Sequence, residues 1–133
     1  VDELALDTVA DRTVADVMMT RPKTLGADAT VADARAVFTN PKVQTCPILG
    51  DDGRLLGDLA REQVPGAEAD DEPARLHADD DPPTIRPGAS MQEALDRLRQ
   101  LESERLCVVD ADRRLLGLLC LNGRHSAFCT DKA

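Results

Sequence analysis

The sequence has no tryptophan and no tyrosine, and its two phenylalanines bring the aromatic share to only 2%. A core must then be built from Leu, Val, Ala, Ile and Met, and the aromatic platforms on which unpaired bases stack are nearly absent. Positive charge is scarce too: 16 Lys and Arg stand against 25 Asp and Glu, a formal net charge of −9. Binding to a nucleic-acid duplex normally begins on a basic surface, so no nucleic-acid partner is expected. No apolar run is long enough to span a bilayer, and the opening VDELALD lacks a basic region ahead of an apolar segment. No membrane partner is expected, and the cytoplasm is the expected location.

Catalytic signatures are missing as well. There is no Gly-x-Ser-x-Gly elbow, no phosphate loop, no paired histidines and no plausible Cys-His arrangement, so the chain is not expected to be an enzyme. Cys46, Cys107, Cys120 and Cys129 show no small-secreted spacing, and a chain of 133 residues does not need staples. Free, mostly buried thiols are expected, with Cys46 and Cys107 in apolar strand-like runs. His77 and His125 read as solvated side chains. On a helix, His125 and Cys129 would share a face as half of a metal site, but two further ligands are wanting and no metal is expected. Turn chemistry accounts for Asp51-Asp52 and solubility for Asp70-Asp71, since no alternation of oxygen ligands surrounds either pair.

What is present is a duplication. DDGRLLGDL, from Asp51 to Leu59, returns as ADRRLLGLL, from Ala111 to Leu119. Across Thr24 to Glu62 and Thr84 to Asn122, nine of 39 positions are identical at an offset of sixty, against about three expected from ordinary composition. Each copy carries the same order of signals. In the first, Thr30 caps a helix with Asp33 three residues on and with Val31, Ala34 and Phe38 on one face. Thr45 to Leu49 reads as a strand, Gly50 to Gly53 as a tight turn and Arg54 to Ala60 as the returning strand. In the second, Ser90 and Glu93 open a helix whose buried face is Met91, Ala94, Leu95, Leu98 and Leu101. Leu106 to Val109, Asp110 to Arg113 and Arg114 to Cys120 repeat the hairpin.

Ahead of the first copy lie a helical lead-in, Leu4 to Ala10, and a short helix from Thr13 to Met19 that stops before Pro22. Between the copies, PGAEADDEPARLHADDDPP carries seven carboxylates from Glu68 to Asp81 against Arg75 alone. With few apolar anchors it is expected to be exposed and mobile, apart from a helical turn at Ala74 to Ala78 echoing Val14 to Met18.

Val14-Ala15-Asp16-Val17-Met18, then Lys23-Thr24-Leu25, a capped helix, Cys46-Pro47-Ile48-Leu49 and Asp51 to Gly57 resemble a CBS domain, and Thr84 to Asn122 is similar with a weaker opening. The resemblance implies an α/β fold of two β-α-β-β-α units packed about a pseudo-two-fold axis. The expected division is a lead-in at 1–12, a first repeat at 13–64, an acidic linker at 65–73, a second repeat at 74–124 and a tail at 125–133. It implies clefts between the halves that in many relatives take adenine nucleotides or S-adenosylmethionine, pairing of modules into a homodimer, and regulation of a partner protein. Matching positions make Thr24, Thr45, Pro47, Thr84, Arg105 and Cys107 the expected ligand-binding residues. Arg105 is placed either to meet a phosphate or to pair with Glu102 or Glu104.

In nucleotide-binding relatives the returning strand ends in a pattern like Gly-h-h-[Ser/Thr]-x-x-Asp. Here Ala60 and Gln63 occupy the hydroxyl and acid positions of the first copy, and Cys120 and Gly123 those of the second. A carboxylate holds both ribose hydroxyls in charge-assisted hydrogen bonds, which neither Gln63 nor Gly123 can supply. Two readings follow: a ligand-sensing regulatory pair taking AMP, ADP, ATP or S-adenosylmethionine, or a degenerate pair serving as a dimerisation or protein-interaction scaffold.

Overall fold

The computed structural model describes residues 2–131. Their contacts separate into two compact units: a central one, Lys23–Pro82, and a terminal one made of the residues up to Pro22 and those from Pro83 onward.

The central unit is a three-stranded sheet in the order β2-β3-β4, with β2 (Leu25–Gly26) parallel to β3 (Thr45–Leu49) and β4 (Leu55–Ala60) antiparallel to it. Between β2 and β3 runs α3 (Val31–Val37). Thr30 caps it as a complete box: its hydroxyl accepts from Asp33 N–H at 3.3 Å, and its own N–H donates to the Asp33 carboxylate at 2.9 Å. Ala34 and Phe38 press on Leu25, Cys46, Ile48 and Leu59 to form the core. The β3–β4 turn closes on Gly53 at φ +85°, a left-handed position that costs glycine nothing.

The terminal unit has five strands in the order β1-β8-β7-β6-β5. These are β1 (Asp2–Ala5), β5 (Thr84–Ile85), β6 (Arg105–Val109), β7 (Leu115–Leu121) and β8 (Ala127–Thr130). Only β5 and β6 are parallel; the other neighbours are antiparallel. Two single-turn helices, α1 (Leu6–Val9) and α2 (Val14–Val17), and the longer α4 (Met91–Leu101) accompany the sheet. Met91, Ala94, Leu95 and Leu98 of α4 are buried against Val9, Val17, Leu106, Leu119 and Phe128. Leu101, expected on that face, is 44% exposed, because the helix ends there in a left-handed Glu102 with Ser103 N–H bonded back to Leu98 O.

The repeat is visible in detail. Each hairpin carries a register shift at the same place, between Ile48 and Leu49 and between Val108 and Val109. Each glycine of the Leu-Leu-Gly triplets lies under a crossing backbone. Asp79 pairs with Asp58 beside Gly57, and Met19 pairs with Leu118 beside Gly117. A Cβ on Gly57 would stand 2.9 Å from Asp79 O, and one on Gly117 2.5 Å from Met19 O. Met19 and Asp79 are themselves sixty residues apart, so the arm before each repeat is laid on the other repeat's hairpin.

Several expectations are corrected. Leu4 and Ala5 belong to β1 rather than to a helix, because they pair with Phe128 and Ala127 of β8. Beyond β7 the chain turns back as that strand, and beyond β4 it forms a 3-10 turn at Arg61–Gln63, in the two places where a closing helix was expected. The acidic linker is anchored rather than loose. Ala69 and Ala74 are buried, Val31 N–H and Ala32 N–H donate to Glu72 O and Asp70 O, and Ala74 N–H donates to Ala29 O. Small residues seat there without the large apolar anchors that the expectation looked for. The helical turn within it is found at Ala74–His77. No helix among the described residues is long and apolar enough to cross a membrane.

Candidate functional site

In the central unit β3 alternates its side chains. Cys46 and Ile48 enter the core, so Thr45 and Pro47 project from the other face of the sheet. Thr45 is buried, and its hydroxyl donates to Asp58 Oδ1 at 2.5 Å. Pro47 lies opposite Asp58 in the β3–β4 register. Thr24 is exposed just ahead of core-facing Leu25, which pairs with Ile48. Thr24, Thr45 and Pro47 therefore flank one seam, joined by Asp58, a carboxylate that the family pattern did not single out. Its only sequence signal is a charge in the apolar run Leu55 to Ala60 where the second copy has Leu118. Burial, and after it the neighbouring Asp58 charge, pushes the Cys46 thiol up to about 12, leaving it an inert core residue.

Below this face, Gln63 Oε1 accepts the Ala60 N–H at 2.7 Å. The residue at the acid position is thus spent on closing the 3-10 turn. Arg61 is spent too: its guanidinium donates to the carbonyls of Phe38, Asn40 and Val43 at 2.6–3.1 Å and stacks 5.2 Å from the Phe38 ring centre. It ties the carbonyl at the C-cap of α3, Phe38, to those of Asn40 and Val43 in the connection that leads to β3.

The terminal unit repeats the layout with different chemistry. Thr84 pairs with Cys107, and its carbonyl accepts Arg97 Nε at 3.1 Å. Leu106 and Val108 enter the core, so Arg105 and Cys107 share the opposite face. Arg105 lies across from Cys120, and Cys120 across from Cys129 of β8. Cys107 is buried, while Cys120 and Cys129 are half-buried, and all four cysteines are thiols rather than disulfides. The hydrogen bond between the Cys120 and Cys129 thiols, with burial second, drives the Cys120 thiol well above its ordinary value. The same hydrogen bond, working against burial, brings Cys129 down to about 7. The segment from His125 to Cys129 is a turn and a strand rather than a helix. His125 stands 3.8 Å from Glu104 and Cys129 faces Cys120, so the pair is not half of a metal site. Among the described residues no group of three or more His, Cys, Asp or Glu is arranged to hold a metal.

The structure thus groups the six expected residues as two sets of three, at corresponding positions of the two units. A cavity of about 320 Å³ in the terminal unit is lined by Leu6, Leu95, Leu98, Arg99, Glu102, Ser103, Leu121 and His125. One of about 310 Å³ in the central unit is lined by Arg35, Phe38, Thr39, Arg61 and Val64. None of the six residues lines either.

The sequence model of the CBS domain matches residues 14–64 and 75–122. An inosine-5'-monophosphate dehydrogenase from Rhizobium tropici is 31% identical over 104 residues, which are 77% of this chain and 21% of that protein. The chain therefore spans about a fifth of the curated relative it matches. Among solved structures, CBSX2 from Arabidopsis thaliana superposes with a TM-score of 0.74 at 24% identity, covering 83% of this chain and 89% of that one. CBSX2 in complex with AMP matches with the same score and identity. The CBS domain pair of MJ0100, in complex with 5'-methylthioadenosine and S-adenosylmethionine, has a TM-score of 0.71 at 17% identity, covering 83% of this chain and 90% of that one.

Proposed function

The chain belongs to the CBS-domain family as a tandem pair, and from that premise we propose that it is a regulatory module sensing an adenosine-containing ligand such as AMP, ADP, ATP or S-adenosylmethionine. The observation that carries this reading is the pairing of the six residues. Thr24, Thr45 and Pro47 in one unit, and Thr84, Arg105 and Cys107 in the other, occupy equivalent places at the strand seam outside the core. The AMP held by CBSX2 and the methylthioadenosine and S-adenosylmethionine held by the MJ0100 pair supply the ligand class. Thr45 and Asp58 offer a hydroxyl and a carboxylate to a polar ligand, and Arg105 a cation to a phosphate. The module does no chemistry itself. A ligand regulates by binding two arrangements of the module unequally, and a partner protein or a second copy reads the change.

A second reading is favoured by one specific observation. Gln63 closes a turn and Gly123 has no side chain, so neither copy offers the ribose-binding acid. Without it the pair serves as a dimerisation or interaction scaffold.

A thermal-shift screen with AMP, ADP, ATP and S-adenosylmethionine separates the two. A ligand at a hundred times its dissociation constant stabilises by about 2.7 kcal/mol, a rise of several degrees. A flat response across the panel removes the sensing reading and leaves the scaffold, which light scattering tests in turn: a monomer at high concentration removes the homodimer. An Arg105→Ala chain that binds phosphate-bearing ligands as tightly as the parent removes Arg105 from the site.

A further inference from the structure

Neither reading uses the cysteines at the far side of the terminal sheet. Cys120 and Cys129 are direct cross-strand partners on neighbouring antiparallel strands, both free and both half-buried. Two cavity walls or distant loops would not hold them so; the ladder does. Asn122 N–H donates to Ala127 O, and the alternation of the ladder makes Cys120 and Cys129 a hydrogen-bonded pair. The Cα atoms of such a pair lie about 5.5 Å apart, within the ~4.4–6.8 Å that a disulfide spans. Both side chains point to the face opposite Leu119, Leu121 and Phe128, which fill the core. Among the described residues no third ligand completes a metal site around them.

We propose that Cys120 and Cys129 are a redox-active dithiol, which a low-molecular-weight disulfide converts into a bridge between β7 and β8. Cys129 attacks as the thiolate. It breaks the S–S bond of the small disulfide, forms a mixed disulfide and releases the first small thiol. Cys120 then gives its proton to water and attacks the Cys129 sulfur, closing the protein disulfide and releasing the second small thiol. Two electrons pass from the protein to the reagent, so one dithiol and one disulfide become one disulfide and two thiols.

The roles follow from the surroundings. The neighbouring Cys120 thiol favours ionisation of Cys129, which is poised near neutral pH, where attack on a disulfide is most efficient. Among the described residues, the charged side chains around the pair are Arg105 on β6, Glu104 just before it and Glu3 on β1. Arg105 favours thiolate, and the two carboxylates oppose it. Cys46 faces the core of the central unit and Cys107 is buried on the outer face of the terminal sheet, and Leu59 and Leu118 stand opposite them in the ladder.

The bridge would pin more than two strands. Asp131, two residues beyond Cys129, accepts the N–H groups of Thr20 and Arg21 at 2.8–2.9 Å. Those residues follow Met19, whose backbone crosses β7 at Leu118. Oxidation therefore fastens the strand that holds the N-terminal arm in place.

The test treats the full chain with mixtures of oxidised and reduced glutathione, quenches in acid, alkylates and maps the cysteines by mass spectrometry. Cleavage after Arg124 separates the two cysteines, so the bridge reads as a linked pair of peptides. The expected result is that pair alone, with Cys46 and Cys107 still reduced, and a melting temperature raised by about 5–10 °C. In Cys120→Ser the glutathione adduct stays trapped on Cys129, and in Cys129→Ser the adduct on Cys120 forms at least about tenfold more slowly. A chain in which all four thiols stay reduced in the most oxidising mixture, or in which Cys46 or Cys107 reacts first, overturns the proposal. Equal rates in the two serine variants overturn the assignment of Cys129 as the attacking thiol, and mapping of the parent chain decides the bridge if a variant fails to fold.

Discussion

Replacing Gly117 by alanine tests the crossing on which the terminal unit depends. The new Cβ would stand 2.5 Å from Met19 O and 2.7 Å from Met18 Sδ. The sulfur is the end of a flexible side chain and can move. The carbonyl cannot, because Met19 and Leu118 exchange two backbone hydrogen bonds of 2.9 Å. The arm must lift, losing two bonds of about 0.5–1.5 kcal/mol each together with part of the Met18 packing, for a total of about 2–4 kcal/mol. Gly57→Ala meets Asp79 O at 2.9 Å, which is less severe, and should cost about 1–3 kcal/mol. Gly26→Ala meets nothing within 4 Å and should stay within about 0.5 kcal/mol of the parent. With no Trp or Tyr to report by fluorescence, the assay is urea unfolding followed by far-UV circular dichroism, comparing midpoints at an unchanged slope. The expected order of loss is Gly117, then Gly57, then Gly26. If Gly117→Ala proved as stable as Gly26→Ala, Met19 would not lie over β7 and the exchange of arms between repeats would be refuted.

Two other substitutions probe single anchors. Arg61→Ala removes the donors to three carbonyls and the stack on Phe38, and should cost about 2–3 kcal/mol in the same assay. Arg61→Lys should recover less than half, because an ammonium cannot reproduce the planar fork; full rescue would reduce Arg61 to a point charge. Asp131 is held below the usual carboxylate range: partial burial opposes ionisation, but the Thr20 and Arg21 N–H groups and the Thr20 hydroxyl outweigh it. A lowered folded-state pKa stabilises above the unfolded value, about 3.9, and that contribution is lost as pH falls through the folded value. Asp131→Asn should therefore flatten the acid limb of the stability curve below about pH 4; an unchanged acid limb would remove the carboxylate from the tie.

Much of the architecture was legible because the signals repeat. Thr30 with Asp33, the strand Thr45 to Leu49 and the Leu-Leu-Gly returns each rest on local chemistry, and each recurs sixty residues on. What was not legible depends on contacts distant in sequence. Nothing near Leu4 announces that its partner is Phe128, so a short apolar run ahead of a helix read as helix. The linker misled for the opposite reason. Its anchors, Ala69 and Ala74, are too small to stand out in a composition dominated by carboxylates, and its backbone bonds to Val31 and Ala32 leave no mark in the side chains. The glycines of the repeated triplet were visible, but their cause was not: it lies in Met19 and Asp79, 98 and 22 residues away, respectively.

The same contrast governs the site. Family matching brought out Thr24, Thr45 and Pro47 and their counterparts Thr84, Arg105 and Cys107, and the fold sets each trio at the same place in its unit. It could not reveal how far the two faces have diverged. In the central unit the seam is polar, with Asp58 accepting from the Thr45 hydroxyl and Gln63 closing the turn beyond. In the terminal unit Leu118 stands where Asp58 would, and Arg105, Cys120 and Cys129 form a row across three strands. That row exists only because β8 turns back to pair with β7, an element with no counterpart in the first copy. A position lost to the nucleotide pattern, Cys120 in place of a hydroxyl residue, is thereby brought opposite a second thiol. If both sites operate, ligand binding must be answered by either unit's seam and oxidation by the terminal unit alone. A thermal-shift screen run on reduced and on oxidised chain reads the two separately: a ligand response unchanged by oxidation would assign the ligand to the central seam, and one abolished by it would assign the ligand to the face that Arg105 shares with the thiols.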